Sequence, residues 1–190
     1  LEHLNKVVVT VRRTTQLLAR SGEQDSLLKK ICETIISSGI YQQAIIATFE
    51  SDWKHAEFYE AGFGDKADRA RSMLLGPPRP PCVNSALKNC CQTKVHESGI
   101  DCNNCPFSLY FENNRYVISR GFKYGDGKLG YFAIQTESHL PLEEEEKSMF
   151  NEICDDVAYA LDKFEIEKRH REAEKINKEK DELYRIIIEN

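Results

Sequence analysis

The fold of this chain is decided by residues 127–134, GKLGYFAI, together with the segment before them. Residues 116–124 and 129–136 are rich in β-branched and aromatic side chains, which favour strands. Between them, residues 125–128 read GDGK, and glycine accepts the positive φ angles of a tight antiparallel turn. We therefore predict a β-hairpin at this place.

The segment after this hairpin predicts one long closing helix. Residues 143–146 are glutamates, which suit the positive end of a helix dipole. A wide apolar face comes first, made by Met149, Phe150, Ile153, Val157, Leu161 and Phe164. A thin seam with seven-residue spacing follows, made by Ile166, Arg169, Ala173, Ile176, Lys180, Leu183 and Ile187. The wide face predicts packing on a sheet, and the thin seam predicts a coiled coil with a second copy of the chain.

The N-terminal part predicts two helices and a second hairpin. Residues 1–21 place apolar side chains three or four positions apart, which is typical of an amphipathic helix with a narrow seam. A second helix follows the Ser21-Gly22 break and ends near Gly39. Residues 44–49 and 55–61 then predict two paired strands.

The middle of the chain predicts shorter elements around a proline-rich loop. We expect a short helix at 66–75, one or two helical turns at 83–88 and a short strand at 93–96. Residues 76–81, GPPRPP, lack backbone donors at their prolines and predict a loop beside whatever the domain binds. Residues 98–105 predict an irregular polar loop.

Charge and hydropathy exclude several classes of protein. The net charge is −5, from 26 basic and 31 acidic residues that are interspersed, so no basic stripe for nucleic acid is expected. No run reaches the roughly 18 apolar residues of a membrane span. We expect a cytoplasmic protein without nucleic acid or direct membrane contact. We divide it into an N-terminal signalling helix at 1–21, a sensor domain at 22–164 and a linker helix at 165–190.

A cysteine cluster is the most informative chemical feature of the sequence. Five of the seven cysteines fall between Cys82 and Cys105, which suits a reduced compartment with a local metal or redox site. Cys102 and Cys105 have the two-residue spacing of zinc ligands. Three possibilities stay open: a zinc or iron–sulfur site, a thiol–disulfide switch, and unmodified thiols. The candidate metal ligands are Cys82, Cys90, Cys91, Cys102 and Cys105, with His55 and His96 as alternatives.

Three segments together resemble the GAF family of sensory domains. Residues 127–134 and the closing helix are similar to the family's most specific segment, residues 27–49 resemble its opening helix and first strand, and residues 81–95 its pocket-lining segment. The resemblance covers about residues 5–165. It implies an α+β fold, a GAF-like α/β/α sandwich with a central antiparallel sheet. It also implies terminal helices on one face and the irregular cysteine-rich segment on the other.

The resemblance further implies a sensory and regulatory role without enzymatic activity. The domain is expected to sense a small ligand, or a redox or metal state, and to transmit it through the terminal helices of a homodimer. Residues 182–190 resemble the entry helix of a PAS domain, so we expect neighbouring PAS or kinase domains of a sensor histidine kinase in a two-component system. The candidate ligand-binding residues are Tyr59, Phe63, Cys82, Phe107 and Tyr116.

Two other functions stay open at this point. Some GAF-fold proteins reduce methionine sulfoxide with pocket cysteines, so the resemblance also permits a redox enzyme of that type. The remaining alternative is a purely structural dimerisation module, in which the cysteines hold a fold-stabilising zinc ion.

Overall fold

The computed structural model describes residues 2–20, 24–50, 55–97, 101, 115–136 and 142–188. Its helices are α1 (Glu2–Arg20), α2 (Gln24–Ser37), α3 (Ala67–Leu75), α4 (Pro81–Lys88) and α5 (Glu144–Ile188). Its strands are β1 (Tyr41–Phe49), β2 (Ala56–Ala61), β3 (Thr93–Glu97), β4 (Tyr116–Tyr124) and β5 (Lys128–Thr136). These elements match the predicted ones in type and order. The main difference is that β1 starts at Tyr41 and α4 at Pro81, a few residues before the predicted starts.

The five strands form one antiparallel sheet in the order β2-β1-β5-β4-β3. The hairpin predicted first is β4–β5, in which Tyr124 pairs with Lys128. Its turn contains Gly125 and Gly127, whose φ angles are 50° and 83°. Glycine adopts such angles without steric cost, so the GDGK sequence is suited to this turn. The predicted α+β class with a central antiparallel sheet is confirmed.

One face of the sheet, called the helical face below, is covered by α2 and α5, and α1 packs against both helices. Cys32 and Cys154 are fully buried in this core. At the start of α5, the hydroxyl of Tyr41 donates to Glu146 Oε1 at 2.9 Å, and both side chains are buried. This bond holds the first turn of α5 against β1. The terminal helices therefore lie on one face, as predicted.

The opposite face, called the α4 face below, is covered by α3 and α4. Gly121 of β4 lets α4 approach closely, because a Cβ atom at this position would lie 2.1 Å from the carbonyl oxygen of Ala86. The helix therefore rests directly on β4. Cys82 lies on this face, partly buried against its core, whereas Cys102 and Cys105 of the predicted cysteine-rich segment lie outside the described residues.

The second glycine of the GKLG sequence is required by packing. Gly130 pairs with Phe122 across the β4–β5 hairpin. A Cβ atom on Gly130 would lie 2.1 Å from atoms of the Phe122 ring, which is only 1% exposed and cannot swing into solvent. An aromatic ring laid over a cross-strand glycine buries apolar area that a larger residue would exclude. The glycine thus sets the position of a central core residue.

Helix α5 extends far beyond the sheet. It contains 45 residues, and its sheet-facing side chains are buried as far as Leu161. Phe164 still packs partly buried against this core, and beyond it the described apolar side chains face solvent: Ile166 is 60% and Ile176 51% exposed. None of the described helices combines the length and apolar character that a membrane span requires. The outer part of α5 is therefore a polar helix with unburied apolar positions.

We expect Gly130→Ala to lower the free energy of unfolding by about 1–3 kcal/mol, because the added methyl group overlaps the Phe122 ring. Phe122→Leu removes the ring atoms concerned. The double variant should therefore lose less stability than the sum of the two single variants. Urea unfolding of the four proteins measures this coupling, and strict additivity would contradict the contact.

Candidate functional site

Polar side chains interrupt the α4 face at the end of the sheet where β4 begins and β5 ends. Gln43 of β1 pairs with Gln135 of β5, and Gln135 pairs with Val117 of β4. Val117 pairs in turn with His96 of β3. Because directly paired residues point to the same face and Val117 belongs to the α4-face core, the four residues form one row on that face.

The neighbouring row contains a buried hydroxyl and a lysine. Ser119 pairs with Ala133 on one side and with Lys94 on the other. Ser119 is 1% exposed, and its Oγ has no hydrogen-bond partner among the described residues. The Nζ of Lys94 donates to Ser85 Oγ of α4 at 2.6 Å. We call the polar residues of the two rows the polar cluster: Gln43, Lys94, His96, Ser119 and Gln135.

The polar cluster has the chemistry of an anion site. Burial lowers the pKa of His96; Asp101 acts against this shift and Lys94 adds to it. The histidine is therefore neutral at pH 7, and Lys94 supplies the positive charge of the cluster. A half-buried surface that carries an ammonium group, hydroxyl groups and amide groups can bind a carboxylate or a phosphate.

The structure does not gather the predicted ligand-binding residues into one pocket. Phe63 is buried in the α4-face core, and Cys82 packs against the same core, where its Sγ accepts a hydrogen bond from Tyr131 at 3.9 Å. Tyr59 and Tyr116 pack against the helical-face core, so the sheet separates them from Phe63 and Cys82. Phe107 lies outside the described residues. A ligand-binding role for Phe63 and Cys82 stays a prediction.

Tyr59 instead contacts two residues that line a cavity of about 400 Å³ at the point where α5 leaves the domain. Its hydroxyl is 2.7 Å from Asp25 Oδ1 of α2 and 2.7 Å from Glu57 Oε2 of β2. Burial, followed by these hydrogen bonds, raises the pKa of Tyr59. The tyrosine therefore links α2 to β2. The acidic and basic residues that line the cavity are Asp25, Glu50, Glu57, Glu165, Lys168 and Arg171, and His55 lies among them.

The predicted cysteine metal site is only partly within the described residues. Cys82 lies in the first turn of the eight-residue helix α4, and Cys90 lies two residues beyond its end. Sulfur ligands of one zinc ion lie about 4 Å apart, and a metal site that combines this pair stays a prediction. Within the described part of the chain, no three histidine, cysteine or acidic side chains are grouped to hold a metal. Cys102 and Cys105 lie outside it, so their combination with Cys90 or Cys91 stays a prediction.

Four residues of the polar cluster, all except His96, were not among the predicted site residues, although the sequence contains a signal for two of them. Ser119 and Gln135 stand at positions where the alternation of β4 and β5 calls for an inward-facing apolar side chain. A polar residue at such a position is the informative exception in a buried strand. The sequence around Lys94 does not mark it as a site residue, because only the pairing of β3 with β4 places it beside Ser119.

No family model matches the sequence, and no curated protein matches it significantly. Solved structures are similar in fold. The GAF domain of a phosphoenolpyruvate-protein phosphotransferase from Coxiella burnetii superimposes with a TM-score of 0.61 at 10% identity, covering 88% of this chain and 97% of that one. The corresponding Acinetobacter domain gives 0.59 at 11% identity, with 81% and 91% covered.

A third similar structure is the phycoerythrobilin-bound GAF domain of a cyanobacterial phytochrome. Its TM-score is 0.57 at 12% identity, and 85% of this chain and 97% of that domain are covered. At such low identity, these likenesses concern the fold alone. The chain therefore has a GAF-like α/β/α fold, as its sequence predicted.

We expect Ser119→Ala to leave the free energy of unfolding unchanged or to raise it by about 1 kcal/mol, because the buried hydroxyl has no described partner to lose. Thr14→Val is the matched control. The Thr14 hydroxyl is also buried but donates to Thr10 O at 2.9 Å, so its removal should cost about 1 kcal/mol. Thermal and urea unfolding measure both changes. A loss at Ser119 as large as that at Thr14 would show that its hydroxyl stabilises the fold.

Proposed function

We propose that this chain is a sensory, non-catalytic GAF domain of a multidomain signalling protein, and that its polar cluster binds a small anionic ligand. The observation that carries the proposal is the buried Ser119 hydroxyl without a described partner, on a residue that pairs directly with Lys94 of β3. A buried polar group without a partner lowers stability. Proteins keep such groups where function needs them.

The polarity of the cluster decides the class of ligand. One structurally similar domain is bound to phycoerythrobilin, so a domain of this fold can hold a small molecule. In the present chain, Lys94 and Ser119 stand together with the amides of Gln43 and Gln135 on the α4 face. These groups favour a hydrophilic carboxylate or phosphate over a large apolar pigment.

The sheet provides a route from the ligand to α5. At the β4–β5 turn, Lys128 Nζ contacts Glu165 Oε1 at 2.7 Å and Glu50 Oε1 at 2.9 Å. The backbone N–H of Gly125 donates to Asp162 Oδ1 at 2.5 Å in the same region. A shift of β4 and β5 on ligand binding would therefore move the point at which α5 leaves the sheet. Signal output by helix displacement needs two arrangements that differ by only a few kcal/mol.

The exposed apolar positions of the terminal helices support a homodimer. Val8 is 46% and Tyr159 75% exposed, and both lie on the outer surface formed by α1 and α5. Ile166 and Ile176 continue these apolar positions along α5 with the spacing of a two-helix seam. Two copies of α5 would bury these side chains. A following PAS domain and a sensor histidine kinase would receive the resulting change of helix geometry.

A compound that binds the polar cluster should raise the melting temperature of the wild-type protein. Suitable probes are cyclic AMP, cyclic GMP, 2-oxoglutarate, inorganic phosphate and phycoerythrobilin. For the compound that binds, Lys94→Met should weaken affinity about tenfold or more, because a charge-assisted hydrogen bond is lost. Ser85→Ala removes the intramolecular partner of Lys94 but keeps its charge, so affinity should persist.

Lys88→Met provides the control for net charge, since Lys88 is exposed at the end of α4. Equal affinity of the wild type and the Lys94→Met protein for the bound compound would place the ligand elsewhere. Preferential binding of phycoerythrobilin would contradict the proposal that the ligand is a small hydrophilic carboxylate or phosphate.

We expect the chain to be a dimer that Ile176→Asp weakens by at least about tenfold, because each copy would then place a charge in the apolar seam. Lys178→Asp changes a position off the seam and should leave the dimer intact. Size-exclusion chromatography with light scattering over a concentration series measures both effects. Monomeric wild-type protein would rule out this transmission route.

A further inference from the structure

Cys91 lies beside β4 in an unusual backbone conformation. It is exposed, and its φ angle of 72° is the one positive value among the described residues other than glycine. Its backbone N–H donates to the carbonyl oxygen of Gly121 at 2.7 Å. Cys91 therefore continues the β3–β4 pairing beyond Thr93, which pairs with Arg120. The bond fixes Cys91 next to Arg120, the residue before Gly121.

Arg120 is a nearly buried cation that joins β4 to the middle of α5. It is 7% exposed. Its Nη1 donates to the backbone oxygen of Asn151 at 3.0 Å, and its Nη2 contacts Asp155 Oδ1 at 2.7 Å. Its Nε is buried and has no acceptor that meets hydrogen-bond geometry within the described ranges. One donor of this guanidinium is thus left for a further acceptor.

The thiol of Cys91 is in position to be that acceptor. Burial lowers the pKa of Arg120, but Cys154, Asp155 and contact with the Cys91 thiol outweigh it, so the net shift is upward. Cys91 and Cys154 therefore both lie near one guanidinium: Cys91 is exposed, and Cys154 is fully buried on α5. A neutral thiol is a weak acceptor. An oxygen on that sulfur would be a strong one.

We propose that Cys91 is an oxidation site for hydroperoxides and that Arg120 holds the sulfenic acid formed there. The Cys91 sulfur attacks the terminal oxygen of the peroxide, an S–O bond forms and the O–O bond breaks. Sulfur is oxidised by two electrons, the peroxide is reduced to water or an alcohol, and the thiol hydrogen leaves with that product. The new oxygen accepts a hydrogen bond from Arg120.

Oxidation at this point changes how α5 is held. Arg120 is shared between Asp155 of α5 and the group at Cys91. The oxidised sulfur at Cys91 draws on the same guanidinium charge as the Asp155 carboxylate and so weakens the attachment of α5 to β4. The oxidation step is independent of the polar cluster on the other face of the sheet. Only its output through α5 rests on the proposed function.

Peroxide treatment of the full chain with a dimedone trap, followed by peptide mass spectrometry, tests the site. We expect Cys91 to be labelled about five to ten times faster than Cys90, whose thiol is half-buried and donates to Leu87 O. Arg120→Gln should reduce Cys91 labelling by a similar factor. Asp155→Asn keeps Arg120 but removes its competitor, so it should increase labelling.

Two controls distinguish a specific effect of Arg120 on Cys91 from a general effect of positive charge and from misfolding of the variant. Lys123→Gln removes an exposed positive charge from the same strand, one that acts on Cys90, and should leave Cys91 labelling unchanged. The Asp155→Asn result keeps the inference testable where Arg120→Gln does not fold. Labelling of Cys91 no faster than that of Cys90, or indifferent to Asp155→Asn, would overturn the site.

Hydrogen exchange of α5 provides the second measurement. Around Asn151 and Asp155, the oxidised wild type should exchange faster than the reduced protein, while Cys91→Ser treated with peroxide should not change. Unchanged exchange in the oxidised wild type would overturn the inferred output through α5. These outcomes do not depend on Lys94, so they are distinguishable from a failure of the ligand proposal.

Discussion

Strict alternation of side chains along β4 and β5 is the constraint on which the rest of the structure depends. Phe122 and Phe132 face the terminal helices, while Val117 and Tyr131 face α4. A slip of one residue in this pairing would exchange the two sets and destroy both cores. The turn with Gly125 and Gly127, and the contact of the Phe122 ring with Gly130, hold the register that prevents such a slip.

The order of helices and strands was predictable because it depends on local patterns. Turn glycines, prolines and the spacing of apolar residues act within a few positions of one another. The face to which a strand residue points was harder to predict, because it depends on register. Tyr59 and Phe63 are only four positions apart and both are aromatic, yet they pack into different cores. Composition alone cannot distinguish two such residues.

The chemical site was less predictable than the fold, since its members meet only through long-range pairing. Cys82 and Cys90 are close in sequence, yet most of helix α4 lies between them. The opposite holds for Lys94 and Ser119, which are distant in sequence and directly paired in the sheet. Cys91 and Arg120 are brought together in the same way, by the bond from Cys91 N–H to the carbonyl oxygen of Gly121.

Strand β4 is the element through which both proposed inputs would reach α5. Ser119 and Arg120 are consecutive residues, so their side chains point to opposite faces of one strand. Ser119 points to the α4 face, while Arg120 points to the helical face and forms an ion pair with Asp155. A ligand at Ser119 acts on the backbone of β4, and an oxidised Cys91 acts on the guanidinium that this backbone carries. Because both act on one strand and one ion pair, the two inputs would affect the same helix without needing to share a binding site.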